Sequence, residues 1–323
     1  MKIKFTLFCL LLLMLAVMFS CKKEDPDPSK LSYFTVKNGL ANNAIMAIAI
    51  DPQDNIWFGT YGGVTKYDGT NWITYTTADG LADNRVRCIA FDKHGNKWFG
   101  SYGGGVSKFD GTNWTIYNKT SGLPDNDITS FAIDSKGNVW AGGGALCKFD
   151  GTKWTLYKSP AGLSSHSRVI AIDKDDIIWV GTGGGGLLKF DGENWTSYPK
   201  TSTPRDGSDG NISSIAIDAQ GNKWVGTSQG LSSFDGSSWT RYILPVGEPG
   251  GWVEVSCVVI DSQGNKWVGT EVHGVLKYDG TNWITYNKAN GLPDNWVSSI
   301  AIDAKDDKWF GYFESFGVTK LRD

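Results

Sequence analysis

The sequence predicts an all-β protein, a β-propeller of seven four-stranded blades, and three observations carry that prediction. A six-residue string, "FDGTNW" at 109–114, recurs as "YDGTNW" (67–72), "FDGTKW" (149–154), "FDGENW" (190–195), "FDGSSW" (234–239) and "YDGTNW" (278–283). A second tryptophan, at Trp57, Trp98, Trp140, Trp179, Trp224, Trp267 and Trp309, ends an "AID…W"-type pattern and returns every 39 to 45 residues. Glycine fills 41 of 323 positions without a G-X-Y period, close to twice its ordinary share, which calls for many tight turns between short strands. A unit of this length holding four strands and repeated seven times is the signature of a propeller.

One unit, residues 84–118, shows how each element is specified. "RVRCIAFD" is apolar on both sides and β-branched in part, and reads as a strand buried on both faces. "KHGN" turns the chain into the second strand, "KWFGS", and "YGGG" turns it again into the third, "VSKFD". "DGTN" carries the Asp-Gly hairpin signal, and "WTIYN" is the outermost strand. The same aromatic at one position in six copies is a packing residue, so "FDGTNW" describes how the protein is built. "DxxGN" turns such as 218–222 match no EF-hand loop, and "GTGGGG" (181–186) matches no phosphate loop because no helix follows it.

The two ends of the repeat predict how the ring closes. Copy seven ends in "GVTKLRD" after its third strand, while "LSYFTVKNGL" (31–40) aligns with the fourth-strand segment "NWITYTTADGL" (71–81). The N-terminal strand therefore completes the last blade and removes the exposed edges of an open array. The expected organisation is a lipoprotein signal peptide over 1–20, a lipidated cysteine and tether over 21–30, and one propeller over 31–323.

The leader has its own logic. "MKIK" is positive, and the 15-residue apolar run from Phe5 to Phe19 is short for a bilayer span of about 20 residues. The run ends in "MFSC", which resembles a bacterial lipoprotein signal with Cys21 as the lipid anchor; Met18 and Phe19 depart from its usual residues. "KKEDPDPSK" (22–30) reads as a solvated tether. "CKKED" resembles the signal that sends some Gram-negative lipoproteins to the outer cell surface. The expected location is the outer membrane, held by the lipid anchor alone and exposed at the cell surface.

Composition excludes some classes. A formal charge of −3 with no basic run in the body of the chain gives no footing for nucleic acid. Beyond Cys9 and Cys21, the cysteines Cys88, Cys147 and Cys257 share no metal spacing and no CxxC pattern. Cys88 and Cys257 fall at one repeat position where other copies carry Ala47, Ser130, Val169, Ser214 and Ser299, a slot for small packing residues. No metal or cofactor is expected, and the protein is expected to be monomeric.

The string "IAID…GNKWFGT…GGGVSKFDG" resembles the two-component regulator propeller repeat, at its Asp-x-x-Gly-Asn-x-Trp and Gly-Val-x-Lys-Phe-Asp positions and across all seven copies. The resemblance implies extracellular recognition, since such repeats commonly form the sensors of hybrid histidine kinases in bacteria that degrade polysaccharides. Those sensors usually carry two propellers, an immunoglobulin-like domain, a membrane helix and a kinase. This chain is expected to be a single propeller on a lipid anchor, so the kinase role does not transfer.

Function is sought where the repeat breaks. Thirteen of the fifteen tryptophans occupy repeat positions; Trp252 and Trp296 do not. Most loops leading into a blade are of the short "GLxDN" kind, but "PKTSTPRDGSDGN" (199–211) and "ILPVGEPGGWVEV" (243–255) depart from it. Two turns on the same face also depart: "EVHG" (271–274) and "YFESFG" (312–317). Trp252, Trp296, Tyr312 and Phe313, with Phe316, are thus expected to gather beside Glu271, His273, Glu314 and Arg205. Flat aromatics stack on sugar rings, while carboxylates and arginine bond hydroxyls, which suits a glycan. Arg87 and Arg168, at one equivalent position, add a means of holding an acidic ligand. A surface protein is the alternative partner, with the propeller as scaffold. Propellers that resemble streptogramin lyases do chemistry on this kind of face, and Glu271 with His273 offers an acid–base pair, but no nucleophile, base and orienting group assemble from spacing.

Overall fold

The computed structural model describes residues 26–158, 167–184, 186–198, 211–248 and 251–322. Cys21, the leader and Arg205 lie outside these residues. Seven four-stranded antiparallel sheets follow one another along the chain. Blade 1 comprises Ile45–Ile50, Ile56–Thr60, Gly63–Tyr67 and Trp72–Tyr75. The first strands contact one another in a closed cycle, blade 7 against blade 1 included, and so surround the central channel. They are half-buried rather than buried on both faces, because one side of each faces that channel: in Val86–Phe91 only Val86 and Cys88 are buried.

Blade 7 is completed as the sequence predicts. Val297–Ile302, Lys308–Tyr312 and Val318–Leu321 are joined by Leu31–Phe34, which pairs Leu31 with Leu321 and Phe34 with Val318. Leu31 takes the place that a tryptophan holds elsewhere. A Cβ at Gly291 would stand 2.9 Å from Leu31 Cδ1, just as one at Gly80 would stand 2.8 Å from the Trp114 ring.

The repeated tryptophans do two jobs. At the start of the fourth strand in blades 1 to 6, the indole packs against the last aromatic of the third, with centroids 4.2 Å apart for Tyr67–Trp72 and 4.5 Å for Phe109–Trp114. In each second strand the indole is buried, and its Nε1–H donates to the aspartate six residues earlier, at 2.8 Å for Trp267–Asp261 and at 2.9–3.0 Å in the other six blades. The other oxygen of that aspartate accepts the backbone N–H groups of the turn, such as Gln53 and Asn55 onto Asp51. "DxxGN" is therefore a clamp joining a turn to the core. The Asp-Gly turns are separate and exposed: Asp68 Oδ1 caps Thr70 and Asn71, and Gly69 supplies a φ of 96°.

The clamps predict an acid limit. Burial would raise the carboxyls of Asp51, Asp92, Asp218 and Asp261, but the indole, asparagine and backbone donors outweigh it and hold them below the usual range. A carboxyl depressed in the folded state adds stability that is complete above its unfolded pKa, about 3.9, and is lost as pH falls through the folded value. The thermal midpoint is expected to fall steeply below about pH 4. A midpoint unchanged down to about pH 2 would contradict it.

Glycine has a further use besides turns. The second strand of every blade carries a glycine where it meets the next blade: a Cβ at Gly100 would lie 2.6 Å from Ile128, and one at Gly311 would lie 2.5 Å from Ile45. The thiols are part of this packing. Burial pushes Cys88 and Cys147 up to about 12 and Cys257 up to about 11, which leaves them without reactive thiolate.

Candidate ligand-binding face

The loops between blades and the turns from second to third strand share one face of the ring. Two repeat positions there set its chemistry. The first is the second residue of each first strand, where the pairing register shifts in every blade. Such a bulge re-aims a side chain, here at the rim of the channel. The seven residues are Met46, Arg87, Thr129, Arg168, Ser213, Ser256 and Ser298. The four hydroxyls each donate to a carbonyl of the next blade: Thr129 to Ser167 at 3.0 Å, Ser298 to Ile45 at 2.6 Å, Ser213 to Val255, and Ser256 to Val297. They stitch the ring together. Met46, Arg87 and Arg168 interrupt the stitching.

The second position is the first residue of the turn that follows each second strand. It is Tyr61, Tyr102, Gly144, Gly183, Ser228, Glu271 and Phe313 in blades 1 to 7. The aromatics fall on the consecutive blades 7, 1 and 2. Trp296, from the loop into blade 7, stacks on Phe313 with centroids 4.7 Å apart and planes 25° apart. Phe313 meets Tyr61 edge-on at 6.1 Å. Tyr102 lies under two guanidinium groups, Arg85 at 5.0 Å and Arg87 at 5.4 Å. Tyr61 and Tyr102 are 42% and 51% exposed, so these rings present area to solvent. Met46, Tyr61, Arg85, Arg87, Tyr102 and Phe313 enclose a cavity of about 250 Å³.

The arginines are positioned by their neighbours. Arg85 reaches both oxygens of Asp83, at 3.0 and 2.7 Å, and donates to the Tyr102 carbonyl at 2.8 Å. Asp83 is held below the usual carboxylate range by that contact. Arg87 pairs with Asp127 at 3.0 Å.

The residues expected from the sequence divide. Trp296 and Phe313 come together as described. Tyr312 is a correction: it is fully buried, its hydroxyl donates to Thr319 Oγ1 at 2.9 Å, and burial pushes its phenol far up. It is core. Glu314 sits at the exposed tip of the turn, where its carbonyl accepts the Phe316 N–H, and the Lys288 ammonium lies 5.6 Å from the Phe316 ring. Trp252, Glu271 and His273 form a separate corner on blade 6. Trp252 is 66% exposed. Burial, then the nearby Glu254 charge, raises the Glu271 carboxyl. His273 anchors its turn through a backbone bond to Thr270 Oγ1 at 2.9 Å, and its Nε2 lies 3.5 Å from where a Gly247 Cβ would stand. No hydrogen bond or ring contact among the described residues joins this corner to the Trp296–Phe313 pair. A groove of about 360 Å³ runs beside the corner, with Tyr242, Leu244, Val246 and Val253 among its walls. No cluster of three or more His, Cys, Asp or Glu able to hold a metal occurs among the described residues.

Comparison with known proteins follows this geometry. The repeat profile described as Two component regulator propeller matches residues 39–62 and 122–145. No curated protein sequence matches the chain. Its fold is similar to the extracellular domain of the hybrid two-component system BT3049 from B. thetaiotaomicron, at 21% identity and a TM-score of 0.76, over 90% of this chain and 41% of that one. It is similar to PorZ, a surface component of the type-IX secretion system of Porphyromonas gingivalis, at 19% identity and a TM-score of 0.69, over 87% of this chain and 46% of that one. Virginiamycin B lyase from Staphylococcus aureus is similar along nearly its whole length, 99%, and 91% of this chain, at 14% identity and a TM-score of 0.75. The chain thus spans about two-fifths of the two-component extracellular domain it matches.

Proposed function

We propose that this chain, a two-component regulator propeller protein, is a surface recognition protein that binds a carbohydrate on the aromatic arc of blades 7, 1 and 2. One observation carries the reading: Phe313, Tyr61 and Tyr102 occupy the same turn position on three consecutive blades, backed by Trp296 and two arginines. A repeat explains an aromatic in every copy but not in three neighbours. Apolar faces of sugar rings stack on such side chains, and guanidinium groups donate to hydroxyls and ring oxygens. The leader, Cys21 and the charged tether support export and lipid anchoring at the outer membrane, with the propeller held outside. The extracellular or surface setting of the similar two-component domain and of PorZ favours the same location.

The test is calorimetric titration of the chain from Lys22 onward with plant, host and microbial glycans, with the recovered sugar checked for cleavage. Tyr61→Ala with Phe313→Ala is expected to weaken the binding by about tenfold or more, ~1.4 kcal/mol. Trp252→Ala is expected to leave it unchanged. The sugar is expected back intact. Affinity that survives the double variant would remove the arc from the site.

A protein-scaffold reading has its own support on blades 5 and 6. Ile243, which lines the apolar groove, is 81% exposed, and Trp252, between the lining residues Gly251 and Val253, is 66% exposed. Under that reading no glycan binds, and Trp252→Ala weakens capture of a surface partner.

A further inference from the structure

The rim of the channel is not uniform. Around it, Thr129, Ser213, Ser256 and Ser298 are tied to neighbouring blades. Arg87 and Arg168 replace such hydroxyls on either side of a cavity of about 350 Å³, whose walls also include Asp125, Asp127, Thr129 and Asn211. Its acids already have partners. Asp127 pairs with Arg87 at 3.0 Å, and Asp125 with Lys119 at 3.2 Å. Arg168 is exposed and has no acidic partner among the described residues. The site therefore carries one uncompensated positive charge within a concave wall. Gly183 leaves room beside it: a Cβ there would stand 3.4 Å from Arg168 Cδ and 3.7 Å from Asn211 Oδ1, so the guanidinium stem and the amide flank the same gap.

We propose that this cavity takes the carboxylate of an acidic sugar, with Arg168 as its counter-ion and the Asn211 amide bonding an adjacent hydroxyl. A planar guanidinium matches a carboxylate through two parallel N–H donors. The inference rests on the carbohydrate reading above and narrows it to uronate-containing chains. Arg87 lines both this cavity and the aromatic one. A chain whose rings stack on the arc can thus run over Arg87 and place an acid group at the channel mouth. One uncompensated charge corresponds to one carboxylate.

The experiment compares uronate oligosaccharides from pectin, alginate and hyaluronan with their methyl esters, in which the ring is kept and the charge removed. It uses the chain from Lys22 onward. At least one acid is expected to bind about tenfold tighter than its ester, as a charge-assisted hydrogen bond requires. Arg168→Gln is expected to abolish that preference. Asp127→Asn releases Arg87 and is expected to tighten acid binding, which a misfolded variant cannot do. Equal affinity for acid and ester would overturn the inference and leave carbohydrate recognition standing. A preference that persists in Arg168→Gln would overturn the assignment of Arg168. Silence to acids, esters and neutral glycans alike would overturn both readings.

Discussion

Removal of residues 31–37 is expected to abolish the single cooperative unfolding transition and to leave a broad, lower-temperature melt in calorimetry. The segment supplies the fourth strand of blade 7, and its loss exposes the backbone edge of Val318–Leu321. It also removes Phe34, whose ring lies 5.5 Å from Trp309 in blade 7 and 5.6 Å from Trp72 in blade 1. Phe34 is partly buried, so its loss costs at most about 3–5 kcal/mol, the range for a fully buried aromatic. The broken strand pairing adds about 0.5–1.5 kcal/mol per hydrogen bond. Together these rival the whole stability of an ordinary domain, about 5–15 kcal/mol. A synthetic peptide of residues 31–37 added in trans is expected to restore part of the transition. An unchanged melting curve would mean that first-strand bonds such as Ser298 to Ile45 and Ile48 to Ser299 close the ring unaided.

The architecture was legible because each element appears six or seven times. An Asp-Gly turn, a stacking tryptophan or a core aspartate that recurs at one position can hardly be anything else. The ring closure was legible for the same reason, as a strand missing at one end and present at the other. The site had no such support. Tyr312 shares its position with Thr60, Ser101, Thr182, Thr227 and Thr270, whose hydroxyls turn inward to the carbonyl across the turn. Side chains alternate along a strand, so Tyr312 points in and Phe313 points out. "YFESFG" looks like one aromatic cluster in the sequence, but the end of the second strand falls between its first two residues. Tyr61 and Tyr102 are equally visible in "GTYGG" (59–63) and "GSYGGG" (100–105), beside the glycines of the same turn. The bulge that aims Arg87 and Arg168 at the channel is a matter of hydrogen-bond register, which residue types alone do not specify.

Asp261→Ala is expected to lower stability by about 3–5 kcal/mol, whereas Asp279→Ala, in an equally repeated motif, should cost less than about 1 kcal/mol. Both are aspartates in tight turns that cap backbone N–H groups. What separates them is water. Asp261 is buried and holds the Trp267 indole N–H at 2.8 Å, the Asn265 amide at 2.7 Å and the backbone of Gln263 and Asn265. Its truncation strands an indole donor 1% exposed, and a buried donor left unpaired costs about 1–3 kcal/mol. Asp279 caps Thr281 and Asn282 in the open, where water replaces the lost acceptor. Denaturant unfolding at pH 7 measures both. Similar losses would mean that the exposed Asp-Gly turns govern the strand register. A gap of several kcal/mol would place the stability of each blade in its aspartate–tryptophan clamp. The face that bears Tyr61, Tyr102 and Phe313 would then be free to vary without endangering the ring beneath it.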